Sequence, residues 1–306
     1  MPLQQTGFIA IPKGEAAGFD HADVWRAQPN TAARLYVAHT GADRIDVIDC
    51  AANTYLRALP DLPGVAGVLV DNEQDLLFSS DRGCARVSIY RCSDEALLGQ
   101  VGVGQRPNGL AYDPTRRHLF AFNIGDPPGQ HCTASIVDVA EMTVVATIPL
   151  PGRPRWAVYC DATDRVYANV QEPAQIVVLD ARNLQIVQAF DVPAIGPHGL
   201  SLRGDRLFCA ADGGSLVALH RDTGVVLGAV GLSGEPDVIM HDLTLARLYV
   251  AVGSPGVVHV VDDQRLQLVE TVPTEAGAHT LGWNPDTRTL YAFLPESERA
   301  AVFVER

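Results

Sequence analysis

The chain has 306 residues, 47% of them hydrophobic, with a formal net charge of −13 and a pI of about 5.0. A chain this acidic repels phosphate backbones and anionic lipid, which argues against nucleic acid and membrane surfaces as partners. No apolar run approaches the length of a membrane span, but the apolar content suffices for a large core.

The chain opens on a lone strand-like segment, Gly7-Phe8-Ile9-Ala10-Ile11. Residues Met1 to Phe8 lack the basic start and apolar stretch of a secretory signal, so a cytoplasmic protein is expected. The six cysteines form no Cys-x-x-Cys pair and scatter over the chain, the usage expected of reduced thiols.

From residue 34 onward one pattern recurs. Arg34-Leu35-Tyr36-Val37-Ala38-His39 is followed by Asp75-Leu76-Leu77-Phe78-Ser79-Ser80 and Arg117-His118-Leu119-Phe120-Ala121-Phe122. Further copies are Asp164-Arg165-Val166-Tyr167, Asp205-Arg206-Leu207-Phe208, Ala246-Arg247-Leu248-Tyr249 and Arg288-Thr289-Leu290-Tyr291. The aromatics of these seven copies are separated by 42, 42, 47, 41, 41 and 42 residues. A fixed period of this size marks a repeat architecture.

Each repeat carries four short runs rich in β-branched and aromatic residues, with Gly, Asp-Pro and similar turn residues between them. No helical period is visible. Four antiparallel strands repeated seven times predict an all-β, seven-bladed β-propeller, built as one domain over 1–306. The seventh repeat stops one strand short, so the N-terminal strand is expected to close the last blade and cover its open edge.

Tyr36-Val37-Ala38-His39 with Arg44-Ile45-Asp46-Val47-Ile48-Asp49 resembles the YVTN-repeat propeller family, and the resemblance extends over essentially the whole chain. Gln175-Ile176-Val177-Val178-Leu179-Asp180 and Val257-Val258-His259-Val260-Val261-Asp262 carry it too. The signature Asn survives only as Asn123. The resemblance implies the fold, within a group that includes quinoprotein-amine-dehydrogenase-like and lactonase-like propellers, and leaves binding protein and enzyme both open.

The 47-residue step reflects a long loop at residues 123–133, which contains His131. It joins the second and third strands of its blade and lies on the face where each innermost strand begins, here called the top. Long loops on a rigid scaffold often carry function, and this one is equally readable as a tolerated insertion.

The residue opening each innermost strand points toward the channel at this mouth. Aligning Arg106-Pro107-Asn108, Arg153-Pro154-Arg155, Gly196-Pro197-His198 and Glu235-Pro236-Asp237 fixes the position. Around the ring it reads His21, Ala66, Asn108, Arg155, His198, Asp237, His279. Three of the nine histidines fall on these seven places, and with Asp237 they occupy four consecutive blades. Imidazole and carboxylate suit a divalent transition metal, so His21, His198, Asp237 and His279 are expected as metal ligands. Zinc is the first choice, with manganese, iron, nickel or calcium as alternatives. A channel mouth is also wet, and polar residues there need no metal.

Arg155 and Asn108 stand where they would hold a carboxylate or carbonyl oxygen, and Glu172 would serve as a base or complete the polar wall. His39 is a candidate extra ligand or supporting residue. His118, His220, His241 and His259 read as packing or solvated residues, and the recurrent Asp49, Asp180 and Asp262 as turn formers. No P-loop, dinucleotide-binding glycine pattern or Gly-x-Ser-x-Gly elbow occurs.

The position of the mouth site resembles that of gluconolactonase-type and virginiamycin-lyase-type propellers. That resemblance implies an axial divalent metal and lactone hydrolysis or lyase chemistry on a small polar or anionic substrate. A non-catalytic propeller that binds a ligand, metal or protein through the same face is the alternative.

Overall fold

A computed structural model describes residues 2–26 and 31–305. Met1, residues 27–30 and Arg306 of the expected propeller lie outside the described residues. The strands form seven four-stranded antiparallel sheets. Six sheets each take four consecutive strands, from blade one (Ala22–Trp25, Arg34–His39, Arg44–Asp49, Thr54–Leu59) to blade six (Pro236–Asp242, Arg247–Val252, Val257–Asp262, Gln267–Pro273). Blade seven uses Thr280–Asn284, Thr289–Leu294 and Arg299–Glu305, and its outer strand is Leu3–Ala10. The expected closure is present, with Leu3 paired to Glu305 and Ala10 to Arg299. The N-terminal strand is longer than its apolar segment because Leu3, Gln4 and Gln5 extend the pairing across a bulge before Gly7.

The seven repeated aromatics, Tyr36, Phe78, Phe120, Tyr167, Phe208, Tyr249 and Tyr291, are all fully or almost fully buried. Each lies in the apolar layer between its own blade and a neighbour, so the core is seven wedges rather than one centre. Burying one such ring contributes about 2–3 kcal/mol, so the period seen in the sequence is the period of blade-to-blade adhesion.

The turn-forming aspartates behave as expected. Asp49 Oδ1 accepts from the backbone N–H groups of Ala51 and Ala52, Asp180 Oδ1 from Arg182 and Asn183, and Asp262 Oδ1 from Gln264 and Arg265. Asp138 does the same for Ala140 and Glu141. All six cysteines are free, and five are buried. No helix among the described residues is long and apolar enough to cross a membrane.

Glycine sets how closely the innermost strands approach. A Cβ at Gly109 would lie 2.2 Å from the carbonyl oxygen of Arg155, and one at Gly199 would lie 2.1 Å from that of Asp237. Each of these glycines follows a channel residue, so the lack of a side chain lets the next blade's channel residue move in beside it.

Candidate functional site

The innermost strands bring Arg155, His198, Asp237 and His279 from blades four to seven to one cavity of about 450 Å³ at the top mouth. Asp212 and Glu235 complete its charged lining. Asp212 directly follows the second strand of blade five, Arg206–Ala211, which lifts it to the rim.

The lining is wired by ion pairs. His198 stands between two carboxylates, its Nδ1 2.8 Å from Asp212 Oδ1 and its Nε2 3.1 Å from Asp237 Oδ1. Gln171 Nε2 donates to Asp212 Oδ2 at 3.2 Å, and Arg155 Nη2 donates to Gln171 Oε1 at 3.0 Å. A chain of contacts therefore runs from blade four to blade six along the cavity wall. Burial disfavours the Asp237 carboxylate, but His198, His279, His21 and Arg155 outweigh it and hold its pKa below the usual carboxylate range. Burial likewise works against charge on His279, yet Asp237, the Gly277 carbonyl and Asp20 prevail and raise its pKa.

His21 and Asn108 do not line this cavity. His21 is buried, stacked on the Trp156 indole with ring centroids 3.8 Å apart, and its Nε2 is 3.4 Å from Asp20 Oδ1. Burial lowers its pKa despite the opposing charges of Asp20 and Asp237. Asn108 is buried beneath Arg82, whose Nη2 donates to Asn108 Oδ1 at 2.5 Å and pairs with Asp20 at 3.0 Å.

Three other candidates are placed elsewhere. Glu172 is exposed at a turn tip and absent from the cavity lining; its neighbour Gln171 reaches inward instead. His39 is fully buried in blade one, with Nδ1 2.7 Å from Asp46 Oδ2 and its ring against Phe19. His131 is exposed on the long loop, and no residue of that loop lines the cavity.

A metal centre needs several donor atoms with free lone pairs aimed at one point. Both ring nitrogens of His198 face carboxylate oxygens, so neither offers a lone pair outward. His279 holds its Nδ1 against the Gly277 carbonyl at 2.7 Å, which leaves Nε2 to face the cavity, and His21 stacks face to face on Trp156. Among the described residues no group of three or more His, Cys, Asp or Glu side chains is arranged to hold a metal ion. The mouth is wired as an ion-pair chain, with His198 between Asp212 and Asp237.

The residues missed from the sequence, Arg82, Gln171 and Asp212, share one alignment position. Each directly follows the second strand of its blade, next to the place of the lost signature Asn. Reading that column as a second ring would have found them.

At the bottom face, Ser201 Oγ lies 3.1 Å from His241 Nδ1, His241 Nε2 lies 2.6 Å from Asp263 Oδ2, and Arg203 donates twice to Asp263. The order Ser-His-Asp suggests a nucleophile, but the arginine neutralises the acid. His241 and Asp263 are almost fully buried between blades five and six, so the chain is a clamp.

No protein-family model matches the chain. One curated protein, the uncharacterized protein YwhL of Bacillus subtilis (strain 168), is 22% identical over 290 residues, covering 90% of this chain and 60% of that protein. The chain thus spans about 60% of the length of the curated relative it matches. Among solved structures, the hydrazine synthase of Kuenenia stuttgartiensis superposes with a TM-score of 0.81 at 14% identity, covering 96% of this chain and 97% of that one. A chain of the mitotic checkpoint complex superposes with a TM-score of 0.82 at 13% identity, covering 98% of this chain and 91% of that one. At such identities these likenesses show the β-propeller fold and nothing of activity.

Proposed function

We propose that this protein is a propeller of YVTN type that binds a small, polar, charge-bearing molecule in the cavity at its top mouth. The observation that carries the reading is the convergence of Arg155, His198, Asp237 and His279, from four consecutive blades, on one cavity of about 450 Å³. That volume falls in the range of small-molecule sites. Arg155 supplies a fixed cationic fork for an anionic group, while Asp237 and Asp212 accept from hydroxyl or ammonium donors. The pKa of Asp237 is lowered and that of His279 raised, so each favours the charged form of the other, and the pair would exchange a proton with a bound molecule.

The test is a thermal-shift screen of polar metabolites, followed by calorimetry on Asp237→Asn and His279→Gln. Saturable binding that both variants weaken supports the reading; binding that neither changes overturns it. The metal-dependent hydrolase or lyase alternative is checked on the same samples by elemental analysis. Stoichiometric metal that is lost in both His198→Ala and His279→Ala would replace this reading with the metal-dependent one.

A further inference from the structure

Charge is divided across the mouth. Asp212, Glu235 and Asp237 stand on blades five and six, while Asp20, at the start of blade one, pairs with Arg82. On the other side, Arg82 follows the second strand of blade two, Arg106 leads into blade three, and Arg153 and Arg155 lead into and open blade four. The chain as a whole carries a net charge of −13, so four guanidinium groups gathered at one rim are not an average patch of its surface.

Three of these arginines keep unused hydrogen-bond capacity under cover. The Nε atoms of Arg82, Arg153 and Arg155 are each buried and unpartnered. Arg82 is held by Asp20 and Asn108, and Arg155 by Gln171, so two of the forks are fixed in place. Arg153 pairs with no carboxylate among the described residues. Its pKa is lowered by burial first, and then by the charges of Arg155, Arg82 and Arg106, which outweigh the opposing charge of Asp212. Like charges brought together under cover are costly, and the arrangement is relieved when an anion lies between them.

We propose that Arg82, Arg153 and Arg155, with Arg106 at the rim, form an anion subsite next to the cavity, and that the bound molecule presents a phosphate monoester there. The subsite rests on the reading of the mouth as a ligand site. A carboxylate is satisfied by one arginine fork, whereas a phosphate monoester has about two charges and three terminal oxygens to share among several. With its phosphate on the arginines, the rest of such a molecule reaches the cavity, where Asp212 and Asp237 accept from its hydroxyl groups.

The test titrates the full chain with inorganic phosphate, glycerol phosphate and succinate at constant ionic strength. Binding is followed by calorimetry and by tryptophan fluorescence, to which Trp156 contributes. Glycerol phosphate is expected to bind saturably, more tightly than inorganic phosphate and about tenfold or more tighter than succinate. Arg153→Gln is expected to weaken it about tenfold, with Arg153→Lys in between. Phosphate binding that is absent, or unchanged in Arg153→Gln, overturns the subsite, and succinate binding as tightly overturns the phosphate assignment. Should Arg153→Gln fail to fold, Arg106→Gln at the exposed rim carries the test, with an expected loss of about threefold. Asp237→Asn separates the two proposals. Glycerol phosphate binding that needs Arg153 but ignores Asp237 retains the subsite and removes the cavity reading. A ligand that needs Asp237 but ignores Arg153 does the reverse.

Discussion

His198 Nε2 lies 3.1 Å from Asp237 Oδ1, and this contact ties the innermost strand of blade five to that of blade six at the mouth. Because Asp212 holds the other nitrogen at 2.8 Å, the imidazole cannot turn without breaking one contact. Asp237 is thereby presented to the cavity in one orientation. Replacing His198 by Ala leaves Asp212 and Asp237 without the group between them, so affinity for an anionic ligand is expected to fall, as calorimetry would read.

The pH dependence follows from Asp237 and His279. The folded pKa of His279 is raised, so its contribution to stability is complete below the ordinary imidazole value and is lost as pH rises through the folded pKa. The folded pKa of Asp237 is lowered, so its contribution is present above the ordinary carboxylate value and is lost as pH falls through the folded pKa. Between the carboxylate and imidazole ranges both act together. Asp237→Asn is expected to lower the His279 pKa, seen by proton NMR of the imidazole, and to flatten the dependence of Tm on pH in this window. An unchanged His279 titration would show that the pair is not coupled.

Gly199→Ala is expected to destabilise the protein by about 3 kcal/mol, because the new Cβ would meet the Asp237 carbonyl oxygen at 2.1 Å. That carbonyl belongs to backbone and cannot swing aside. Urea unfolding gives the stability change. Gly102→Ala, where nothing lies within 4 Å, is the control and is expected to be close to neutral.

At the opposite face, His241→Ala should cost about 1–3 kcal/mol by leaving Ser201 and Asp263 short of a partner. Ligand binding at the top should be unaffected. Reaction of Ser201 with a fluorophosphonate, lost in His241→Ala, would instead mark the clamp as a nucleophilic centre.

Removing residues 1–10 deletes the outer strand of blade seven, which pairs along its length with Arg299–Glu305. The exposed edge is expected to promote association, and the lost contacts of Leu3 and Ile9 to lower Tm by several degrees. Size-exclusion chromatography and calorimetry give the answer. A monomer with unchanged Tm would mean that the seventh blade is self-sufficient.

The sequence alone determined the architecture. The spacing of Tyr36, Phe78, Phe120, Tyr167, Phe208, Tyr249 and Tyr291 repeats the spacing of the interfaces they fill, so the fold was legible as a period. It also determined the ring on which Arg155, His198, Asp237 and His279 lie, because repeat alignment converts position along the chain into position around an axis. Only the tertiary structure decided what those side chains face. His198 turns between Asp212 and Asp237, His21 stacks on Trp156 from three blades away, and Arg82, Arg153 and Arg155 gather on the far side. These partners stand in different repeats, and rotamer choice and the closeness of neighbouring backbones select them. A pattern read within one repeat holds no record of that choice.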